Sequence, residues 1–411
     1  MSSAPVPAPA PVPVPVPVPA PVLASASEAV RAAHSLAAEL AADASARDRE
    51  GGFPYRAAQL LSRSGLLGIR VPAEYGGAGV DQRTVAEVFR ILAAADGALA
   101  QIPQSHFAFV DALLVAGAEE LRREVFGAVL AGARVGNAAS ERGGRTAADF
   151  RTRVLETADG LRLQGTKHYA TGALGAEWIA VYALLDDELA IVFVPGDTPG
   201  VRLLDDWTGM GQRATGSGTA RFDDVPVAAH RVIRPWAQPA ARRGWWLAGR
   251  LAHTAIDVGI AENALADGLA YLAARARVSP GLPFDTPGDD PLVQHGVGVA
   301  ATRARAARLL LADAARAIDL AWAGDDDADV RDARLVLDQA KAFAADVAVQ
   351  VSSELFTWTG TSATDDRHNL HRHWRNARTH TLHDPNGWKY ASAGAALVRQ
   401  THENIAASDI S

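Results

Sequence analysis

The fold is decided by the stretch Trp178-Ile-Ala-Val-Tyr-Ala-Leu-Leu-Asp-Asp-Glu-Leu-Ala-Ile-Val-Phe-Val194. Two apolar runs rich in Val, Ile and aromatic residues flank the segment Leu185-Asp-Asp-Glu188, where a hairpin turn belongs. Shorter runs of the same kind surround it: Arg153-Val-Leu-Glu-Thr157, Leu161-Arg-Leu-Gln164 and Thr219-Ala-Arg-Phe222. Residues 134–235 are therefore predicted to form an antiparallel β-sheet domain, compact enough for a sandwich or barrel.

Helical patterns flank this sheet on both sides. Residues 26–133 are rich in Ala with charged residues interspersed, and they predict helices over Tyr55–Ser64, Asp81–Ala95, Ser105–Ala116 and Glu119–Ala131. Residues 242–411 hold four long periodic segments: Trp245–Arg277, Leu292–Trp322, Val330–Phe356 and Pro385–Glu403. The predicted fold class is α+β, with an N-terminal helical domain, a central antiparallel sheet and a C-terminal four-helix bundle.

The first 25 residues have a different character. Residues 1–22 contain nine prolines that alternate with Val and Ala, a pattern typical of an extended segment without helix. The tail has neither the basic start nor the apolar helical run of a signal peptide. We expect a disordered spacer over residues 1–25; a docking ligand for a partner protein is the alternative.

Composition excludes several classes of function. The chain has 411 residues, no cysteine, and 40 basic against 47 acidic residues, a net charge of −7. Without cysteine there is no disulfide scaffold, thiolate metal site or cysteine nucleophile. The acidic balance argues against nucleic-acid binding, and no apolar run is long enough for a membrane span. We expect a soluble, cytoplasmic globular protein.

Common catalytic motifs are missing, but histidines cluster near the C-terminus. No dinucleotide-binding glycine pattern, serine elbow or zinc-binding H-E-x-x-H is present, and Gly160-Leu-Arg-Leu-Gln-Gly-Thr-Lys167 only approaches a P-loop. The clustered histidines are His368, His371, His373, His380 and His383. Arginines 367, 372, 375 and 378 interleave with them and would repel a divalent cation. The pattern therefore predicts no metal site, and leaves open a solvated basic face or a surface for an anionic cofactor or catalysis.

Four sequence blocks carry a family resemblance. They are Gly65–Gly79 (GLLGIRVPAEYGGAG), Gly136–Glu141 (GNAASE), Gly165–Gly172 (GTKHYATG) and Trp207–Gly218 (WTGMGQRATGSG). Together with the order helices, sheet, bundle, they resemble the acyl-CoA dehydrogenase superfamily. Most of the chain after the tail takes part in the resemblance.

A fifth block distinguishes between the branches of that superfamily. Its dehydrogenases commonly place a catalytic glutamate before a Gly-Thr pair after the third bundle helix, whereas this chain has Trp374-Arg-Asn-Ala-Arg-Thr-His-Thr-Leu-His-Asp-Pro385 there. The block is similar to the flavin-dependent monooxygenases of the same fold, notably dibenzothiophene monooxygenases and related sulfur-acquisition oxidoreductases. Proton abstraction beside a thioester needs a carboxylate base, whereas a flavin peroxide needs a proton donor and an apolar pocket. Histidine suits the second requirement.

The resemblance implies a two-component flavin monooxygenase. Reduced FMN would come from a separate reductase, FAD being the other candidate cofactor. Reduced flavin and O2 would oxygenate a small substrate, for example an organosulfur compound, through a C4a-hydroperoxyflavin. The resemblance also implies a homotetramer.

The same resemblance assigns roles to individual residues. His383 and His380 would perform acid/base chemistry; their alternative role is to cap the helix that Asp384-Pro385 begins. Asn137 and Ser140 would meet the flavin edge and the bound peroxide, the alternative being backbone bonding at a strand end. Thr171 would lie at flavin N5 and Trp207 would pack on the ring, unless it is a core residue.

Three further residues have weaker assignments. His106 would face the substrate, or else be a packing residue. Arg275 or Arg277 would cross a subunit boundary to the cofactor phosphate, with a surface arginine as the alternative.

Two other functions remain open from the sequence. One is an FAD-dependent acyl-CoA dehydrogenase with a relocated base, for which Glu262 or Glu354 could serve. The other is a non-catalytic binding protein on the same fold.

Overall fold

A computed structural model describes residues 20–146, 149–239, 244–278, 280–324 and 326–408, with side chains as far as residue 399. Residues 1–19 of the predicted tail lie outside the described residues. The end of that tail, residues 20–25, belongs to the folded part. Leu23 packs against the core, and the Ser25 hydroxyl accepts a hydrogen bond from the Glu28 amide at the start of the first helix.

Seven helices form the N-terminal domain: α1 Ala26–Ala41, α2 Ala44–Glu50, α3 Tyr55–Arg63, α4 Gln82–Ala93, α5 Gly97–Gln101, α6 Gln104–Ala116 and α7 Glu119–Leu130. Helix α4 shows why they form. Asp81 caps it by accepting from the Thr84 amide, and Val85, Val88 and Phe89 are buried on one face at helical spacing. The sequence predicted the bounds of this helix to within two residues.

The central domain is an eight-stranded sheet. Its strands are β1 Val135–Ala138, β2 Arg153–Thr157, β3 Gly160–Lys167, β4 Trp178–Leu185, β5 Glu188–Pro195, β6 Val201–Leu204, β7 Thr219–Val227 and β8 Val232–Ile233. The order is β6-β7-β3-β2-β4-β5-β8, and β1 pairs with β4. The β4–β5 hairpin is confirmed, with Asp186 and Asp187 at positive φ as its turn requires.

A wholly antiparallel sheet was a wrong expectation. Strand β4 runs parallel to β1 and to β2, and the remaining pairs are antiparallel. The reason lies in the strand order. Because β2 lies between β3 and β4, these two consecutive strands are not joined as a hairpin, and residues 168–177 cross over to bring β4 in beside β2 in the same direction.

The C-terminal region contains α8 Trp245–Arg275, α9 Pro291–Ala323, α10 Asp327–Thr359, α11 His371–His380 and α12 Asn386–Ser408. Asp290 and Asp326 cap α9 and α10. Helix α8 is buried without interruption from Leu251 to Ala261, because the N-terminal helices cover one side and α9 and α10 cover the other. The short helix α11 packs on α8 and α10.

None of the helices in the described ranges has the length and apolar character that crossing a membrane demands.

Candidate active site

The centre of the candidate site is a cluster of buried polar side chains at the end of α11. The Nδ1 atom of His380 lies 2.5 Å from Asp257 Oδ1, and its Nε2 atom lies 3.0 Å from His253 Nδ1. The same Nε2 atom lies 3.0 Å from Gln101 Oε1. Asp257 is fully buried, and its second oxygen accepts from Lys341 Nζ at 2.5 Å. Helices α5, α8, α10 and α11 thus each contribute a polar group to one small volume.

His383 lies at the outer edge of this cluster. Its ring packs against that of His253, with 4.2 Å between centroids, while another part of the residue stays open to solvent. The packing on its inner face, followed by the nearby His380 and Lys341, lowers the pKa of His383. Burial and the same neighbours lower the pKa of His253 further. Both rings are therefore uncharged at neutral pH.

Asp257 responds in the opposite sense to its surroundings. Burial by itself raises the pKa of this carboxyl, but the charges of Lys341 and His380 outweigh burial and lower the pKa below its ordinary value. The carboxylate is therefore ionised and doubly hydrogen-bonded.

The next residue after the cluster is Asp384, which pairs with Lys389 on the first turns of α12. This ion pair ties the loop that carries His383 to α12.

Two of the three arginines of α11 are matched by carboxylates from this chain. Arg372 pairs with Asp267, and Arg375 pairs with Asp48 on α2. His373 also contacts Asp267, at 2.9 Å. These partners occupy two of the three guanidinium groups of α11, whereas the buried Nε atom of Arg378 lacks a hydrogen-bond partner. A surface for an anionic cofactor at this helix therefore stays a prediction that rests on Arg378. Within the described ranges, no group of three or more His, Asp or Glu side chains is placed to hold a metal ion.

A second group of polar residues lies on the sheet side. The hydroxyls of Thr171, Ser217 and Thr215 form a chain with 2.7 Å between neighbours, and Thr215 Oγ1 donates to the Gln212 carbonyl at 2.9 Å. Trp207 Nε1 donates to the same carbonyl at 2.8 Å. One backbone oxygen therefore fixes both the indole ring and the hydroxyl chain.

A cleft of about 230 Å³ opens beside this hydroxyl chain. Its lining includes Arg142, Tyr169, Trp207 and Ser217. The sequence analysis did not single out Tyr169, although it lies within the quoted block Gly165–Gly172. Its side chain is 45% exposed, its φ is +56°, and Arg142 lies 5.1 Å from its ring. An exposed aromatic residue in a strained backbone conformation is typical of a ligand site rather than of a core.

Asn137 and Ser140 differ in their burial and in their contacts. Asn137 is half-buried on β1, and its backbone amide donates to the Thr171 carbonyl at 3.0 Å. Ser140 is exposed, and its carbonyl accepts from the His168 amide. The structure thus brings Asn137 next to Thr171, with Ser140 beyond the end of the strand.

The loop 207–218 packs directly on α11. Arg375 Nη1 donates to the Met210 carbonyl at 3.0 Å, and a Cβ on Gly211 would overlap the Arg375 carbonyl. The Trp207 loop and the His380 helix are therefore in backbone contact, which only a glycine at position 211 permits.

Unsatisfied polar atoms concentrate on these two elements. In the described part of the chain, eight buried side-chain N and O atoms lack a hydrogen-bond partner, and four of them belong to Gln212, Arg378 and Thr379. Such atoms destabilise a fold unless a ligand or water satisfies them. An aromatic pair of the exposed Tyr169 and the half-buried Trp207, a hydroxyl chain and spare polar groups fit a flat heteroaromatic cofactor with a hydrogen-bonding edge, as a flavin is.

His106 has the surroundings of a packing residue. It is fully buried; its Nε2 atom lies 2.9 Å from the Leu67 carbonyl, and its Nδ1 atom accepts from the Val135 amide at 3.0 Å. Both ring nitrogens are thus taken by backbone. This arrangement favours the packing alternative over contact with a substrate.

Arg275 and Arg277 are far from the cluster within one chain. Both are exposed, and Arg275 lies 22 residues after His253 on α8, which is about 33 Å along the helix. Their assignment to a cofactor phosphate stays a prediction.

The two candidate relocated bases lie outside the cluster. Glu262 pairs with Arg90, and Glu354 pairs with Arg303 at 2.9 Å. Each is held by an arginine, so the dehydrogenase alternative gains no support from them.

Comparison with known proteins agrees with this architecture. Acyl-CoA dehydrogenase family models match in three parts: the N-terminal domain over residues 26–133, the middle domain over 137–225 and the C-terminal domain over 251–386. Dibenzothiophene monooxygenase of Rhodococcus erythropolis is 31% identical, over 90% of this chain and 93% of its own. SfnC of Pseudomonas putida, described as an FMNH2-dependent monooxygenase, is 30% identical over 89% and 93%.

Among solved structures, FMN-bound TdsC from Paenibacillus sp. A11-2 superposes with a TM-score of 0.86 and 26% identity, covering 90% of this chain and 97% of TdsC. The matches cover the N-terminal helices, the central sheet and the C-terminal helices. The chain belongs to the acyl-CoA dehydrogenase superfamily, in its flavin-dependent monooxygenase branch.

Proposed function

We propose that this flavin-dependent monooxygenase is the oxygenase component of a two-component system. It takes reduced FMN from a separate reductase and uses O2 to oxygenate a small organosulfur substrate. One oxygen atom enters the substrate; the other leaves as water with two electrons and two protons from the reduced cofactor. The names of the relatives support this class of substrate, and those of SfnC and FMN-bound TdsC support FMN rather than FAD.

The observation that carries the proposal is the imidazole cluster at the end of α11. A dehydrogenase of this fold needs a free carboxylate base beside its substrate. Here the cluster presents His380 and His383, and its carboxylate, Asp257, is bound by both Lys341 and His380. The site can hold or move a proton at a ring nitrogen, but it offers no free carboxylate to abstract one.

The residues of the chain have the following proposed roles. Bound reduced flavin supplies electrons and the centre at which dioxygen reacts. Tyr169 and Trp207 would pack on the ring system, and Thr171 would bond its central edge. Asn137 and Ser140 would donate hydrogen bonds toward the oxygen-binding face.

His383 and His380 would hold or pass protons at their ring nitrogens. Because its pKa is lowered, His383 is uncharged at neutral pH, so it would accept a proton and hand it on.

The proposal includes a homotetramer in the cytoplasm, where a reductase can draw on the cell's nicotinamide pool. Helix α9 leaves Leu292, Leu309 and Leu320 exposed, and α12 leaves Trp388 exposed. Apolar surface of this kind suits contacts between subunits. Such contacts would also bring Arg275 or Arg277 of one copy to the cofactor phosphate of another. Light scattering on the purified chain tests the assembly.

The function is tested by mixing the anaerobic protein with reduced FMN and then admitting oxygen in a stopped-flow instrument. We expect a delay before the absorbance of oxidised flavin appears, and a shorter delay for His383→Ala. His34→Ala, an exposed histidine on α1, is the matched control and should leave the delay unchanged. Labelled dioxygen should then place one heavy atom in an organic sulfide. Immediate flavin oxidation without any delay would contradict the proposal.

A further inference from the structure

The buried chain Lys341–Asp257–His380–His253 determines where the proton of His380 lies. An ionised carboxylate only accepts hydrogen bonds, so the His380 nitrogen that faces Asp257 must carry hydrogen. That nitrogen is Nδ1, at 2.5 Å. In the uncharged ring the other nitrogen, Nε2, is then bare, and it lies 3.0 Å from His253 Nδ1. The side-chain amide of Gln101 lies at the same distance from Nε2; it must turn its NH2 group toward a bare Nε2, whereas its oxygen accepts from a protonated one.

We propose that Asp257 fixes His380 with its proton on Nδ1 and thereby presents a bare Nε2 to His253. Lys341 acts one step behind by holding the carboxylate in place. Asp257 and Lys341 are thus positioning residues. This inference rests on the proposed function in one respect: in that function, His380 holds or passes protons.

The burial of Lys341 and Asp257 is the first observation that supports this positioning role. Lys341 is 4% exposed and Asp257 is fully buried, so each loses the solvation of its charge. A buried ion pair of this kind adds little stability compared with apolar residues of the same volume. A structural need for it is therefore weak, whereas an ionised carboxylate at Nδ1 fixes the ring tautomer because it can only accept a hydrogen bond.

His253 is the second argument. Since the pKa of His253 lies well below its ordinary value, this ring is uncharged and has one donor and one acceptor nitrogen. When His380 is uncharged, His253 donates from Nδ1 to the bare Nε2. When His380 is charged, the direction of the same hydrogen bond reverses. The pair can therefore pass a proton without moving a heavy atom. The ring of His383 packs on the outer face of His253.

The chain contains its own control for this geometry. His373 and Asp267 form a second histidine–aspartate pair between α11 and α8, with Arg372 as the accompanying cation. There the aspartate faces Nε2 at 2.9 Å instead of Nδ1. His373 must consequently hold its proton on the opposite nitrogen from His380.

Solid-state nitrogen-15 NMR of histidine-labelled full-length protein, with and without FMN, tests the proposal. The signal lost in His380→Gln identifies His380. We expect it to show hydrogen on Nδ1 and a bare Nε2, while His373 shows the reverse. A protonated Nε2 and bare Nδ1 in uncharged His380 would overturn the proposal.

Variants extend the test. Asp257→Asn combined with Lys341→Met removes one charge of each sign, which avoids leaving a single buried charge behind. We expect the share of the Nε2–H form of His380 to rise at least tenfold, and the oxygenation rate to fall by about tenfold to a hundredfold with KM little changed. Asp267→Asn should alter His373 and leave His380 as it is. An unchanged His380 tautomer in the double variant would contradict the proposal.

The outcome is separable from that of the proposed function. If the wild-type protein forms no oxygenated product but His380 shows the expected tautomer, the positioning role stands and the monooxygenase proposal fails. If product forms while His380 carries the opposite tautomer, the reverse conclusion holds.

Discussion

The side-chain oxygen of Asn376 accepts a hydrogen bond of 2.7 Å from the backbone amide of Gln212. Asn376 lies one helical turn before His380, and the Gln212 carbonyl holds Trp207 and Thr215. One amide–carbonyl contact therefore connects the aromatic and hydroxyl side of the candidate site to its imidazole side. Both residues are buried, so neither has water as a substitute partner.

We expect Asn376→Ala to destabilise the protein by about 1–3 kcal/mol, because the buried Gln212 amide loses its acceptor. Urea unfolding measures the change. Asn263→Ala is the control, since its side-chain amide makes a long contact of 3.4 Å to the Ala95 carbonyl. Equal losses of stability in the two variants would contradict a special role for the Gln212–Asn376 contact.

Replacing Ser217 should interrupt the hydroxyl chain. Ser217→Ala leaves Thr171 and Thr215 without their shared partner, so the Thr171 hydroxyl is no longer oriented. We expect FMN affinity to fall by about fivefold to tenfold, the equivalent of about one hydrogen bond. Flavin fluorescence titration measures the affinity. Thr302→Ala removes an exposed helix hydroxyl and should leave affinity unchanged; an unchanged affinity in Ser217→Ala would show that the chain does not reach the cofactor.

Tyr169 should matter for binding and not for folding. Its ring is largely exposed, and asparagine tolerates the left-handed backbone at this position. We expect Tyr169→Asn to change the free energy of unfolding by less than about 0.5 kcal/mol and to weaken FMN binding about tenfold. Tyr55→Asn, at a partly exposed tyrosine outside the cleft, is the control. A large loss of stability with intact binding would assign Tyr169 to the fold instead.

His106 should make the protein acid-sensitive. Burial lowers the pKa of His106 to about 4, well below its ordinary value of 6.5. Between these two values the unfolded chain binds a proton that the folded chain does not, so stability rises with pH and falls as the medium is acidified. The full contribution lost between pH 6.5 and 4 is about 3 kcal/mol.

His106→Gln removes that titration. We expect the pH dependence of urea midpoints to flatten over this window, with KM for the substrate unchanged. His295→Gln, on an exposed position of α9, should keep the wild-type slope. A changed KM in His106→Gln would restore the substrate role that the sequence suggested.

The sequence was informative wherever apolar periodicity and turn residues agreed. The β4–β5 hairpin and the long helices α8, α9 and α10 follow from such patterns, and their observed bounds lie within three residues of the predicted ones. Helix α11 was not predicted, because its buried face consists of His373, Asn376, Ala377 and His380 and so shows no apolar stripe. The parallel pairing of β4 could not be predicted either, since strand order depends on contacts distant in sequence.

The residues of the candidate site likewise fall into a group that was predicted from the sequence and a group that was missed. His380, His383, Asn137, Thr171 and Trp207 were found through family-like blocks, and the structure groups them on either side of α11 and the loop 207–218. His253, Asp257 and Lys341 were missed because they lie in apolar helices far apart in the sequence. A signal was nevertheless present: His253 and Asp257 are polar residues four positions apart among residues that are otherwise apolar, which predicts a shared buried partner.

The ion pair between Asp384 and Lys389 connects the loop that carries His383 to a surface proposed for contacts between subunits. Lys389 follows Trp388, which is 77% exposed, while Asp384 directly follows His383. In the proposed assembly, a neighbouring subunit that covers Trp388 would restrain the backbone that carries His383. Subunit association and the proton chemistry at His383 would then be thermodynamically linked: dilution to monomers should loosen the ring, and a ligand that tightens the ring should favour association.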